Sequence, residues 1–294
     1  MFPCLFLLFV ERLFLGRIEI LKWAKDLLGQ ANVPDIDASA ELILAHILGV
    51  SRGALRVVDI LTPEQEAVYI ELIARRCNRE PLDKILGNTE FMGLSIRYSD
   101  NVLTPRQETE ILADKIIAII NSAPSTNCRV LDICCGSGCI GLSIARNTGA
   151  RVTLSDISEL ALLEVRANME ANNIGNDKIE IVRSDMFNNI TGEYDIIVSN
   201  PPYLRTDEML NLEPEVKDYD PSISLDGGVD GLEFYRIIAD NCSQYLAIGG
   251  RMYLEIGMGQ HEDVIKLLEP YFERVVAEKD YAGIYRFIIA ENRR

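Results

Sequence analysis

Asn200-Pro201-Pro202-Tyr203 directly follows the apolar run Tyr194–Ser199. The run reads as a buried parallel strand, so the tetrapeptide stands at a strand's carboxyl end, where open α/β sheets place their chemistry. Neither proline has an N–H to donate, and each fixes φ near about −65°. The loop is therefore stiff, and its carbonyls point in set directions beside the Asn200 side-chain oxygen. Two acceptors and an aromatic face suit a planar N–H₂ group. A turn that only ends a strand accounts for Pro-Pro but gives no reason for Asn before it and Tyr after it.

A second segment, Val130 to Gly141, runs from a strand through Cys134-Cys135-Gly136-Ser137-Gly138 into a helix. Gly136 and Gly138 let the backbone approach a ligand closely, and the helix beginning near Gly138 aims N–H groups at it. Asp156 ends the next strand and can accept hydrogen bonds from a ribose. These features bind an adenosine-bearing cofactor, and the spacing Gly136-x-Gly138-x-x-Gly141 with Asp156 suits NAD as literally as S-adenosylmethionine. Two observations favour S-adenosylmethionine. Asp132 at the strand end would repel a pyrophosphate but pair with an ammonium group, and the tetrapeptide supplies an amide-reading site where no hydride-transfer constellation is visible.

Both segments need a sheet to hold them. From Arg129 onward short apolar runs alternate with helical ones: Arg129–Ile133, Arg151–Ser155, Lys178–Arg183, Tyr194–Ser199 and Arg251–Ile256, separated by helices such as Ser158–Asn172 and Gly231–Leu246. The alternation predicts a doubly wound, mostly parallel sheet. Arg274–Ala277 and Ile284–Ala290 add two final strands, at least one of them a candidate for the antiparallel direction. Before the sheet, residues 18–78 show apolar positions at three- and four-residue spacing. Gly29 and Gly49 read as helix stops, and Thr62-Pro63-Glu64-Gln65 as a capping box opening a third helix that runs to about Asn78. Glycines and alternating apolar residues from Thr89 to Tyr98 predict a β-hairpin. The resulting division is a helical bundle over 1–80, a hairpin linker over 81–105 and an α/β domain over 106–294.

The chain of 294 residues carries a formal charge of −16, which argues against a surface that grips phosphate backbones. Its seven cysteines are odd in number and unevenly spaced. They lack paired Cys-x-x-Cys units, so a reducing cytoplasm is expected and no metal site. With only His46 and His261 present, imidazole catalysis has little support. Met1 to Leu15 are strongly apolar, but no basic region precedes the run, no Ala-x-Ala-like cleavage site follows it, and it is too short to span a bilayer. Residues 1–16 are read as an extra amphipathic turn or as an extraneous segment from a start codon assigned too far upstream, and no membrane association is expected.

Taken together, the motifs resemble the release-factor glutamine N5-methyltransferases, the HemK/PrmC family, from about Ile18 onward. The matching pieces are Pro81–Gly87 and Phe91-Met-Gly93, then Leu103-Thr-Pro-Arg106-Gln-Glu108-Thr-Glu110. They continue with the glycine loop, Asp156-Ile-Ser158, Ser184-Asp185-Met186-Phe187 and Ser199–Leu204. Further on come Glu213–Val216, Leu225–Gly228 and Leu254-Glu-Ile-Gly257. Cys134 stands where the family usually has the first loop glycine, and Gln107 where it has a proline.

The resemblance implies a Rossmann-like class I methyltransferase domain with a mostly parallel seven-stranded sheet and a small N-terminal helical domain. It also implies methyl transfer from S-adenosylmethionine to the side-chain amide nitrogen of the glutamine in a Gly-Gly-Gln motif of class 1 peptide chain release factors. Asp132 and the loop of Cys134, Cys135, Gly136, Ser137 and Gly138 would hold the methionine end, Asp156 the ribose, and Asp185 and Met186 the adenine. Asn200 would touch both cofactor and acceptor. Asn200 Oδ1 and the Pro201 carbonyl would each accept an N–H of the acceptor amide, with Pro202 shaping the loop and Tyr203 stacking on the amide plane. The partner would be a release factor met by a cytoplasmic monomer without direct nucleic-acid contact. Two rival acceptors remain, a glutamine of a ribosomal protein and the N6 of an adenine, the latter requiring a basic channel that this acidic chain does not advertise. A non-catalytic nucleoside sensor would keep the glycine loop but have no use for Asn200.

Overall fold

A computed structural model describes residues 16–57, 60–97, 99–122 and 127–294. The reading of residues 1–16 falls, apart from Gly16, outside the described residues. Among the described residues no helix is long and apolar enough to cross a membrane. The chain divides into two compact units, Met1–Leu86 and Gly87–Arg294.

The first unit is helical, with α1 (Arg17–Gln30), α2 (Ile36–Leu48), α3 (Pro63–Cys77) and a short α4 (Leu82–Leu86). Their apolar faces meet in a core that includes Ile20, Leu28, Ile43, Leu44, Tyr69 and Ile73. The buried Tyr69 hydroxyl donates to the Ala40 carbonyl at 2.9 Å, so the ring's polar end is satisfied inside that core. The capping box forms as the sequence requires: Gln65 N donates to Thr62 Oγ1 and Thr62 N to Gln65 Oε1, at 3.2 and 2.9 Å. Gly49 closes α2 with φ of 63°, a left-handed cap that glycine enters freely. Gly29, in contrast, does not stop α1. The helix continues through Gln30 and is capped at Ala31. A Cβ on Gly29 would lie 3.6 Å from Ile36 Cδ1.

The second unit opens with the hairpin β1 (Thr89–Phe91) and β2 (Leu94–Ile96), followed by α5 (Gln107–Ser122). The hairpin belongs to this unit: Phe91, Leu94 and Ile96 are buried in the same core as Leu112 and Ile116 of α5. Then come β3 (Arg129–Ile133), α6 (Cys139–Asn147), β4 (Arg151–Asp156), α7 (Glu159–Ala171), β5 (Ile179–Arg183) and β6 (Tyr194–Ser199). The chain finishes with α8 (Pro214–Lys217), α9 (Glu233–Tyr245), β7 (Leu246–Glu255), α10 (His261–Leu268), β8 (Phe272–Lys279) and β9 (Tyr285–Arg293).

The large sheet has seven strands in the order β5-β4-β3-β6-β7-β9-β8, and β9 pairs antiparallel with both its neighbours. Its strands are apolar at both parities, as strands covered on both faces must be. Val130, Val152, Leu154, Ile196 and Val198 face one core, shared with α5 and α6. Leu131, Ile133, Ile197, Met252 and Leu254 face the other, shared with α9 and α10. From β3 the chain winds outward through β4 and β5, then returns to place β6 on the other side of β3. That reversal opens a crevice beyond the carboxyl ends of β3 and β6, where doubly wound sheets bind ligands.

Candidate active site

Three neighbouring strands bring the site residues to one level. Ile133 of β3 is in register with Ser199 of β6, and Ser199 with Leu254 of β7. The residues that follow, Cys134, Asn200 and Glu255, therefore stand side by side at the sheet's upper edge. Ser199 Oγ donates to the Ile133 carbonyl at 2.7 Å and ties the first two strand ends together.

Above this edge lies a cavity of about 400 Å³, within the range of small-molecule sites. Cys134, Cys135, Gly136, Ser137, Asp156, Asp185, Met186, Asn200 and Pro202 all line it. Asp132, Gly138, Pro201 and Tyr203 do not, and each has a different position to account for.

Asp132 sits beneath the cavity instead of on its wall. Its side chain is fully buried, Oδ2 accepts the Gly141 N–H at 2.9 Å, and Oδ1 has no partner. Burial pushes its pKa up to about 8. Through Oδ2 the carboxyl anchors the first turn of α6. Gly138 is likewise set by packing: its φ is 79°, and a Cβ there would come within 3.0 Å of Val165 Cγ2. Gly141 allows α6 to approach β4, since a Cβ would meet Leu154 Cδ2 at 2.5 Å.

The wall itself is made by backbone in uncommon conformations. Gly136 has φ of 53° with nothing near the position of an added Cβ, so that face is open. Cys134 and Met186 also have positive φ, 58° and 47°, a conformation that costs a non-glycine residue roughly 1–2 kcal/mol. Their sulfurs lie 3.8 Å apart. The left-handed backbone at Cys134 explains why glycine suits this position. Asp156 accepts the Gly136 N–H through Oδ2 and the Ser158 N–H through Oδ1, both at 2.9 Å, and burial raises its pKa. Each oxygen keeps further lone-pair capacity. An acceptor-only carboxylate, a glycine face open to close approach and an exposed Asp185 beside Met186 fit an adenosine-bearing cofactor.

The Asn200 loop is braced from below and behind. Glu255, 3% exposed, accepts a hydrogen bond from Thr109 Oγ1 at 2.7 Å, and the neighbouring Asn200 side chain favours its charged form. Asn200 Oδ1 is left buried without a partner. Gln260 holds the other end of the loop: its Nε2 donates to the Tyr203 carbonyl at 2.8 Å, and its Oε1 accepts the Gly257 N–H at 2.8 Å. Leu204 N donates to Leu225 O and Gly227 N to Leu204 O, at 2.9 and 2.7 Å. Gly227 is required there, because a Cβ would fall 2.8 Å from Pro202 O and Tyr203 Cα. Burial lifts the Tyr203 phenol to about 12, so it stays protonated.

Sequence reasoning missed Glu255, Gln260, Thr109 and Gly227 as supports of this loop. The only signal for Glu255, Thr109 and Gly227 was their presence in the motif segments, whose residues turn out to be ties; Gln260 lies outside those segments. Arg106 bonds Asp220 at 3.0 Å, Thr109 bonds Glu255, and Glu110 Oε1 accepts the Met92 N–H at 2.7 Å.

A doubly wound sheet of this order, with a glycine turn after its first strand and Asn-Pro-Pro-Tyr after its fourth, defines a methyltransferase. Residues 108–213 match the family described as Methyltransferase small domain, and residues 19–87 the PrmC N-terminal domain. The chain is 38% identical over 256 residues to the release factor glutamine methyltransferase of Thermodesulfovibrio yellowstonii, covering 86% of this chain and 91% of that protein. With the protein of the same name from Chlamydia trachomatis serovar L2 the identity is 36% over 276 residues, 93% of each. The chain belongs to the release factor glutamine methyltransferase family. The fold is also that of the T. thermophilus 16S rRNA N2 G1207 methyltransferase, solved with S-adenosylmethionine and guanosine, at a TM-score of 0.51 and 20% identity over 70% of this chain and 50% of that one.

Proposed function

We propose that the cavity binds S-adenosylmethionine and that Asn200, Pro201 and Tyr203 present to it the glutamine side chain of a Gly-Gly-Gln motif in class 1 peptide chain release factors. The observation that carries this reading is the buried, unpartnered Asn200 Oδ1 beside the cavity. An orphaned buried acceptor is costly, and an incoming N–H₂ group relieves it.

When bound, S-adenosylmethionine supplies an electrophilic methyl group on a sulfonium. The difficulty lies in the acceptor, whose nitrogen lone pair is delocalised into its own carbonyl. Asn200 Oδ1 and the Pro201 carbonyl each accept one N–H and turn the lone pair toward the methyl group, while Tyr203 covers the amide plane and excludes water. Fixing the attack line in this way lowers barriers by up to roughly 7–11 kcal/mol in well-oriented systems. The methylated amide is cationic and strongly acidic, so its proton leaves to solvent without a general base. Gly136 to Gly138 and Asp156 hold the methionine and ribose, Cys134, Cys135 and Ser137 line the same wall, and Asp185 and Met186 flank the adenine. Asp132 fixes the start of α6 through Oδ2 and offers its unpartnered Oδ1 to the methionine ammonium.

The helical unit docks the body of the release factor, and the protein works as a cytoplasmic monomer without nucleic-acid contact, in keeping with its charge of −16. Mass spectrometry after incubation with labelled S-adenosylmethionine tests the reading. An intact release factor should gain one methyl group on the Gly-Gly-Gln glutamine, and a short peptide carrying the same motif should react far more slowly, because it forfeits remote binding energy. Equal reaction of peptide and whole factor, or preferential methylation of adenine, would overturn the assignment of the partner.

A further inference from the structure

We propose that Glu255 is a positioning residue for methyl transfer, fixing which end of the Asn200 amide is offered to the acceptor. The proposal rests on the acceptor reading given above. An asparagine amide has two ends of nearly equal shape, one that only donates and one that only accepts. Rotation by half a turn exchanges them. An acceptor glutamine N–H₂ is recognised by the oxygen and repelled by the nitrogen, so a site built on asparagine needs something to settle the choice.

Glu255 is placed to do this. Register puts it beside Asn200 at the edge of β7, it is 3% exposed, and the Asn200 side chain favours its ionised form. An ionised carboxylate has no hydrogen to give, so it takes only the nitrogen end of the amide and leaves Oδ1 as the unpartnered acceptor. The carboxylate is in turn steered by the Thr109 hydroxyl of α5 at 2.7 Å. Its backbone carbonyl is fixed by the Tyr235 hydroxyl of α9, at 2.8 Å.

The arrangement works only while the carboxyl is ionised, and its surroundings set where that occurs. Burial pushes its pKa up to about 7, opposed by the bond from Thr109, the Arg286 charge on β9 and the neighbouring Asn200 amide, and reinforced by Glu108 on α5. Tyr203, Tyr235 and Cys139, the remaining titratable groups that face it, all have pKa values raised by burial. They stay neutral through this range. A protonated Glu255 could donate to Asn200 Oδ1 and stabilise the wrong orientation. The rate should therefore rise with pH through about 7 and level off above it.

Glu255→Gln keeps the shape and removes the acceptor-only character. With an intact release factor as substrate, kcat at pH 8 should fall about 10- to 100-fold, the scale of a misoriented reacting group, while the Kd for S-adenosylmethionine from calorimetry stays within about twofold. The rise of kcat with pH should vanish in this variant. Thr109→Val removes one bond to the carboxylate and should move the rise to higher pH. A purely structural role would leave the pH profile where it is. If Glu255→Gln folds and keeps both the parent's kcat and its pH profile, the proposal is wrong. If that variant does not fold, an unmoved profile in Thr109→Val refutes it. A parent enzyme that fails to methylate any release factor refutes the acceptor reading instead.

Discussion

The loop after β3 and the loop after β6 leave neighbouring strands at the same level of the sheet, yet they are built in opposite ways. The first is a backbone device. Its wall depends on positive φ at Cys134 and Gly136 and on glycines that let α6 approach β4 and α7. Its one essential side chain, Asp156, spends its oxygens on the backbone N–H groups of Gly136 and Ser158. The second is a side-chain device on a stiff frame. Two prolines set the path, Gln260 and the Leu225–Gly227 segment clamp the far end, and a buried carboxylate, Glu255, stands beside the Asn200 amide. A cofactor of fixed shape is met by a fitted surface, whereas an acceptor arriving on another protein needs one correctly oriented hydrogen-bonding group.

The contrast breaks most sharply under substitution of Asn200. Asn200→Ala should lower the single-turnover rate by at least about 10²-fold, since the acceptor loses its alignment, with little change in S-adenosylmethionine affinity by calorimetry. A parallel loss of affinity would show that the two loops are not separable in this way. Asp156→Ala should do the reverse. Loss of charge-assisted hydrogen bonds worth about 1.5–3 kcal/mol should weaken cofactor binding roughly 10- to 100-fold. At saturating cofactor kcat should be largely restored, and a kcat that stays low would assign Asp156 to the chemistry as well. The smallest effect is expected at Cys134→Gly. Relief of the left-handed backbone should leave stability unchanged or raise it by up to about 1 kcal/mol, measured by urea unfolding. A clear destabilisation would mean that the contact between the Cys134 and Met186 sulfurs outweighs the backbone cost.

Much of the frame is legible in the chain. The alternating apolar runs locate the strands of the large sheet to within a few residues, because strands buried on both faces must be apolar at both parities. The capping box at Thr62 and the glycine at Gly49 mark helix ends through local hydrogen bonding and φ alone. Gly29 is less exact: the local rule expects a stop there, but α1 runs on through Gln30 and is capped at Ala31. Asp132 shows a second tertiary effect. Its place at a strand end suggests a ligand contact, and only the approach of α6 over β3 reveals that the carboxyl is buried and that its Oδ2 also holds the Gly141 N–H.

Sequence by itself determined the two chemical segments, the order of strands and helices along the chain, and hence an adenosine-bearing cofactor and an acceptor with a planar N–H₂ group. Each of these follows from residue type and local spacing, whereas the release-factor glutamine was implied by the family resemblance. Which residues stand next to Asn200 was decided by the tertiary structure, because β3, β6 and β7 lie far apart in the chain and meet only through the register of a parallel sheet. Cys134 on one side and Glu255 on the other are brought to Asn200 by that register. A carboxylate buried there by helices from both faces acquires a role that its place in the sequence does not disclose.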